Sequence, residues 1–275
     1  MLKLRVVTAL VLVGLLVGAL WLGRTAFVLA IGVLFAGAVF EWMRLAGLMR
    51  AACVGVAVAV VSVLLLLEFT GRTPAGAALT LVCAGAVAIW LTLLAVLVRA
   101  SLQPIRVGSP VLFALGITLL PAAWLALMAL HQRGAVVLLS ALAVVWVADI
   151  AAYFAGRAFG RRKLAPRISP GKTWAGVGGA IAGVLGVALV AHVWLPRAPL
   201  LSNALFDQSA LLAPVLLVVL VALSIVGDLF ESLMKRQSGM KDSSQLLPGH
   251  GGVLDRIDAL LPVLPAAVLL LRWMR

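Results

Sequence analysis

Seven of the nine acidic residues in this 275-residue chain fall between positions 149 and 258, and all of these but Asp207, namely Asp149, Asp228, Glu231, Asp242, Asp255 and Asp258, lie in or beside polar segments. Asp228 with Glu231, and Asp255 with Asp258, are spaced i and i+3, which puts each pair on one face if the local chain is helical. Two like charges held together repel, and a divalent cation is the usual remedy. Oxygen ligands with no cysteine and at most one nearby histidine, His250, suit Mg2+ better than zinc. Simple charge pairing is the other account: Asp255 with Arg256 or Lys241 in a solvated network, and Asp149 in a buried hydrogen bond to Tyr153 or a neighbouring lysine. Asp149 and Asp228 lie late in apolar runs, where an ionised side chain costs about 2.5–3.5 kcal/mol at mid-membrane and less near the interface. Each therefore needs a partner, a cation or a functional reason. Glu41 and Glu68 stand at the ends of apolar runs and Asp207 in a connection, and none of these three requires a catalytic role.

Cations and hydroxyls gather beside these acids. The string SPGKT, Ser169 to Thr173, invites a nucleotide P-loop reading, but that motif needs a glycine where Pro166 stands, and no strand is expected before it. What survives is Lys172, the hydroxyls of Ser169 and Thr173, and free amides at the start of the next apolar run, all able to bind phosphate. His131 and His192 sit near run ends, where interfacial roles suffice. His250 differs in being followed by Gly251 and Gly252, which let backbone approach a ligand closely. Cys53 and Cys83 lie inside apolar runs and read as buried thiols, without a disulfide framework or a metal spacing.

A chain that is 64% hydrophobic and 11% charged cannot hide its apolar surface in one soluble core, so the bilayer must be its solvent. The net charge of +13 does not point to nucleic acid, since basic stripes with interleaved aromatics are absent. Runs of the length a span requires occur at about 6–22, 26–43, 51–69, 75–98, 109–130, 135–156, 174–195, 209–228 and 259–273. Continuous apolarity without period-2 alternation makes them helices rather than barrel strands. The sequence thus predicts an all-α polytopic membrane protein of about nine spans, the shortest of them the ninth, with Pro262 and Pro265.

With a cytoplasmic N-terminus, only Arg24, Arg72, Arg133, Arg197, Arg272 and Arg275 of the 22 lysines and arginines face outward, and the other 16 face inward. Two inward loops, 157–173 and 229–258, are long and mixed in charge, which marks function. The expected division is an N-terminal group of about five spans, 1–134, and a C-terminal catalytic membrane domain, 135–275, carrying both loops.

The segment SLMKRQSGMKDSSQLLPGHGGVLDRID, Ser232 to Asp258, closely resembles the signature of phosphatidate cytidylyltransferases, also called CDP-diacylglycerol synthases. Its defining positions are filled by Ser232, Lys235, Arg236, Lys241, Asp242, Ser244, Leu247, Pro248, His250, Gly251, Gly252, Asp255, Arg256 and Asp258. The resemblance extends upstream through GDLFES, Gly227 to Ser232, and through Asp149 to Trp174. One position departs: Ala175 follows the GKTW string, where the family commonly has Glu. The resemblance implies transfer of a cytidylyl group from CTP to phosphatidic acid in the bilayer, with pyrophosphate released. On that reading Asp228, Asp255 and Asp258 hold Mg2+, with Asp149 a helper. Lys172, Lys235, Arg236, Lys241 and Arg256 neutralise phosphates, and Ser169, Thr173 and His250 bind substrate.

The expected location is the inner membrane, with both loops facing the cytoplasm, where CTP is. The sequence leaves a homodimer open. Rival readings are another CTP-using enzyme, such as a polyprenol kinase or an archaeal-lipid cytidylyltransferase, and an ion-coupled transporter. The clustering of acids at one mouth and the absence of a two-half repeat speak against transport.

Overall fold

The computed structural model describes residues 2–249 and 251–273, the side chains of residues 2–7, 9 and 10 excepted. Its elements in chain order are α1 (Leu2–Trp21), α2 (Arg24–Leu45), α3 (Arg50–Phe69), α4 (Gly76–Leu102), α5 (Ser109–Gln132) and α6 (Ala135–Phe159). They continue as β1 (Lys163–Ala165), β2 (Ser169–Thr173), α7 (Trp174–Trp194), α8 (Leu201–Gln208), α9 (Leu212–Gln237), α10 (Leu254–Ile257) and α11 (Leu260–Trp273). Among the described residues, seven helices, α2 to α7 and α9, are long and apolar enough to cross a membrane. The chain is a multi-pass helical membrane protein. In hydrocarbon every backbone polar group must be satisfied within its own segment, and a continuous helix does this.

Three departures from the sequence reading bear on the site. The expected ninth span is α11, whose 14 residues rise about 21 Å, short of the roughly 30 Å hydrocarbon layer. It is buried along almost its whole length and packs against α4, α5, α6, α8 and α9 as a central post. The expected loop 157–173 folds as an antiparallel hairpin, with Lys163 opposite Thr173 and Ala165 opposite Ser169. SPGKT is thus a strand rather than a loop, and Thr173 closes it by accepting the Gly176 N–H at 3.1 Å to cap α7. The expected loop 229–258 is shorter than its polarity suggests, because α9 continues to Gln237.

Small residues set the closest helix pair. Gly176, Gly179 and Gly183 of α7 lie against Ala151, Ala152 and Ala155 of α6, and a Cβ on Gly179 would collide with the Ala155 methyl and come within 2.9 Å of the Ala151 carbonyl. Close backbone approach through such residues is what drives helix association where lipid is as apolar as the helix surface. Elsewhere aromatic packing fixes α9. Phe230 lies between Trp42 of α2, 6.0 Å away, and Trp90 of α4, 5.9 Å away, and the Trp42 indole donates to the Leu112 carbonyl at 2.8 Å. Glu41 and Glu231 are each the chain neighbour of one of these locked rings.

Gly179→Val should cost about 1–3 kcal/mol by overpacking the α6–α7 contact, read as a lowered unfolding midpoint in detergent. Gly186→Ala, where nothing lies within 4 Å of the added methyl, should show no loss.

Candidate active site

Helix α9 presents Asp228, Glu231, Ser232 and Lys235 on one face, at the i, i+3, i+4 and i+7 positions that lie above one another. The Lys235 ammonium lies 2.6 Å from Glu231 Oε2 and 2.6 Å from Asp255 Oδ1, tying α9 to α10. Asp255 therefore finds a cation in Lys235, a partner that sequence proximity does not suggest. One turn back, Lys172 of β2 reaches Asp228 Oδ2 at 2.6 Å, joining the hairpin to the same helix face.

Asp255 is densely hydrogen-bonded. Besides Lys235 it accepts from the Ser243 amide at 3.0 Å, the Ser243 hydroxyl at 3.0 Å and the Gly252 amide at 2.7 Å. Burial alone would raise its carboxyl, but contact with Glu231, with the Lys235 ammonium and with the Gly252 amide outweighs that and holds it below the ordinary range. Asp258 is the opposite case. Burial and then the charge of Asp228 push its carboxyl up to about 8, although the Ala259 amide donates to it at 2.7 Å.

Between α6, α7, α9 and the hairpin opens a cavity of about 440 Å³. Asp149, Lys172, Thr173 and Asp228 line it, with Arg157 and Tyr153 at its edge. The expected partner of Asp149, the Tyr153 hydroxyl, instead accepts from Arg157 at 3.3 Å. Asp149 lies within electrostatic reach of Asp228, Lys172 and Arg256. The fold thus brings together residues from both sequence segments, 149–173 and 228–258.

Other expected site residues fall elsewhere. Arg236 turns away, donating to the Ile168 carbonyl at 3.4 Å and lining a second cavity with Arg106 and Arg167. Lys241 is exposed, Ser169 is half-buried in β2, and His250 lies outside the described residues.

Among the described residues no group of three or more His, Cys, Asp or Glu is arranged to hold a metal ion. The donor set nonetheless suits a hard divalent cation. Among the described residues Glu231 Oε1 is buried without a hydrogen-bond partner, and the charge of Asp228 disfavours ionisation of Asp258, which a bound cation would reverse. Lys172 and Lys235 now hold the carboxylates that such an ion would engage.

One residue that the sequence reading set aside is bonded to the segment carrying the acids. Glu41 of α2 is completely buried and accepts from the hydroxyls of Ser243 and Ser244 and from the amides of Val253 and Leu254. Nearby, the Arg44 guanidinium donates to the Ser243 carbonyl at 2.8 Å and the Ser238 hydroxyl to the Leu45 carbonyl at 3.1 Å. The end of α2 thereby grips the segment between α9 and α10. The glycines read from sequence as ligand-approach positions have a nearer reason. A Cβ on Gly252 would lie 2.6 Å from both Glu41 carboxylate oxygens, and one on Gly251, whose φ is +82°, 2.6 Å from Asp255 Oδ2. The only sequence signal for Glu41 is an acid ending an apolar run, which Glu68 shares. Glu68 pairs with Arg24 at 2.6 Å, at the opposite end of α2.

A model of the cytidylyltransferase family matches residues 3–274. The phosphatidate cytidylyltransferase of Pseudomonas aeruginosa is 43% identical over 98% of this chain and 97% of its own length. That of Haemophilus influenzae is 48% identical over 48% of this chain and 44% of its own, and that of Bacillus subtilis 41% identical over 52% and 49%.

Lys235→Met should strand two buried carboxylates and cost roughly 3–5 kcal/mol of stability, visible as a lowered melting temperature in detergent. Lys241→Met, at an exposed position, should shift it by no more than about 0.5 kcal/mol.

Proposed function

The chain belongs to the cytidylyltransferase family, and from that premise we propose that it transfers a cytidylyl group from CTP to phosphatidic acid, leaving CDP-diacylglycerol in the bilayer. The observation that carries this reading is the cavity where Asp149, Asp228, Lys172 and Thr173 converge beside the buried Glu231–Lys235–Asp255 network. Acids, a mobile ammonium, a hydroxyl and an apolar wall of α6 and α7 residues suit a triphosphate and a lipid phosphate meeting at a membrane surface.

In the reaction a phosphate oxygen of phosphatidic acid attacks the α-phosphorus of CTP. The new P–O bond forms as the bond to the oxygen bridging the α and β phosphorus atoms breaks, and pyrophosphate leaves with that electron pair. No serine or cysteine nucleophile is needed, so positioning and charge neutralisation carry the catalysis. Lys172 is placed to exchange Asp228 for a phosphate oxygen, Arg157 lines the same cavity, and Lys241 and Arg256 would complete the set of phosphate-neutralising cations. Thr173, buried at the head of α7, orients the hairpin that carries Lys172.

Mg2+ is the cofactor we propose, and Asp228, Asp255 and Asp258 would hold it, with Asp149 a helper. When bound, it would neutralise the charge that develops on the phosphates. We further propose that this end of the bundle faces the cytoplasm, at the inner membrane, because CTP is a cytoplasmic substrate and the loops here are rich in lysine and arginine. Residues 135–275 would form the catalytic part, docked on the helices of 1–134.

Purified protein supplied with labelled CTP, phosphatidic acid and Mg2+ in detergent should yield labelled CDP-diacylglycerol. No product, under conditions where the Pseudomonas relative gives it, would overturn the reading. Asp258→Asn should lower turnover by roughly 100-fold or more while the protein stays folded. Unchanged turnover would remove Asp258 from the site.

A further inference from the structure

The structure points to Glu41 as a positioning residue of this reaction. It lies 202 residues before Ser243, in the half of the chain that lacks the signature segment, yet all four of its hydrogen-bond donors belong to residues 243–254. Its Oε1 takes the Ser244 hydroxyl and the Val253 amide, the latter at 3.1 Å. Oε2 takes the Ser243 hydroxyl at 3.0 Å and the Leu254 amide at 2.7 Å. A carboxylate has about four acceptor positions, and four donors among the described residues lie against this one, the Ser243 hydroxyl being shared with Asp255. Val253 and Leu254 directly precede Asp255, and Asp258 follows one helical turn later. Fixing those two amides fixes the backbone from which both acids project.

Ser243 links Glu41 to the acids more directly. Its hydroxyl lies 3.0 Å from Glu41 Oε2 and 3.0 Å from Asp255 Oδ2. A hydroxyl has a single hydrogen, so it can donate to only one of them at a time. If a cation draws Asp255 out of its hydrogen bonds, Ser243 can turn its hydrogen fully to Glu41, and the segment stays anchored while Asp255 changes partner. The bare α-carbon of Gly252 supports the same arrangement, since any side chain there would push Glu41 out of the contact.

This inference rests on the proposed cytidylyl transfer, and its test separates the two. The full-length protein in detergent is compared with Glu41→Gln, Glu41→Asp and, as a buried-glutamate control at the far end of the bundle, Glu68→Gln. Hydrogen exchange at residues 252–254 is read by mass spectrometry, independent of activity. In Glu41→Gln, exchange there should rise roughly tenfold or more, as expected for losing a hydrogen bond to a charged acceptor. kcat should fall by a comparable factor of about ten or more, KM for CTP should move by less than about threefold, and Glu41→Asp should recover part of kcat. Glu68→Gln should keep wild-type kcat.

Unchanged exchange in Glu41→Gln, or unchanged turnover per folded molecule, overturns the assignment. If Glu41→Gln does not insert, Ser244→Ala removes one of the four donors, and wild-type exchange and kcat in that variant overturn it equally. A wild-type protein with no transfer activity refutes the function, while the exchange measurement still decides whether Glu41 holds the segment.

Discussion

Lys235 sits 2.6 Å from each of two carboxylates, Glu231 and Asp255, in a region from which water is largely excluded, and the surrounding architecture is constrained by keeping those three charges together. Withdrawing the ammonium would leave like charges buried side by side, so α9 and α10 are held in one register. Asp228 lies two turns of α9 before Lys235 and takes its place from the same helix. Phe230, locked between Trp42 and Trp90, prevents α9 from rotating to relieve the crowding. Glu41, from the neighbour of Trp42, closes the arrangement from the other side. The proposed cation would meet acids already held in this frame by Lys172 and Lys235.

Much of this was legible in the residues. The apolar runs at 26–43, 51–69, 75–98, 109–130, 135–156, 174–195 and 209–228 correspond to α2 to α7 and α9, because a span must satisfy its own backbone and the sequence has to say so continuously. The i, i+3 spacing of Asp228 and Glu231 carried their shared face. The partners of the acids were not legible. Local spacing cannot show that Lys172 reaches Asp228 or that Lys235 lies between Glu231 and Asp255 and so outcompetes Lys241, since those contacts depend on how helices cross. Glu41 was missed for the same reason, because its donors are some 200 residues away and its local setting matches that of Glu68. The hairpin at 163–173 was hidden by its brevity and by Pro166 and Pro170, which usually argue against strands. Arg236 was grouped with the phosphate-binding cations by its place in the signature, whereas its guanidinium donates to the Ile168 carbonyl and lines the cavity with Arg106 and Arg167.

The two cavities on either side of α9 give the proposed chemistry a division of labour. The one between α6, α7 and the hairpin holds both charge signs and is walled by the small residues that let those helices approach. The other, lined by Arg106, Arg167 and Arg236, has no acid in its lining. Mixed charge suits the binding and release of phosphates that the proposed transfer requires, while Arg236 of the signature segment ties α9 to the hairpin region through the Ile168 carbonyl.

The central post has a consequence for how the molecule is made. A ribosome delivers α2 to α9 before α11, yet α11 fills the interior around which α4, α5, α6, α8 and α9 are arranged. Until residues 260–273 emerge, those helices surround a hollow that lipid or neighbouring chains can enter. Asp258 immediately precedes that helix, and Gly227 of α9 has no side chain where the Asp258 carbonyl and Pro262 press against it. The insertion that fills the interior of the bundle thus also fixes the backbone at Asp258 against α9.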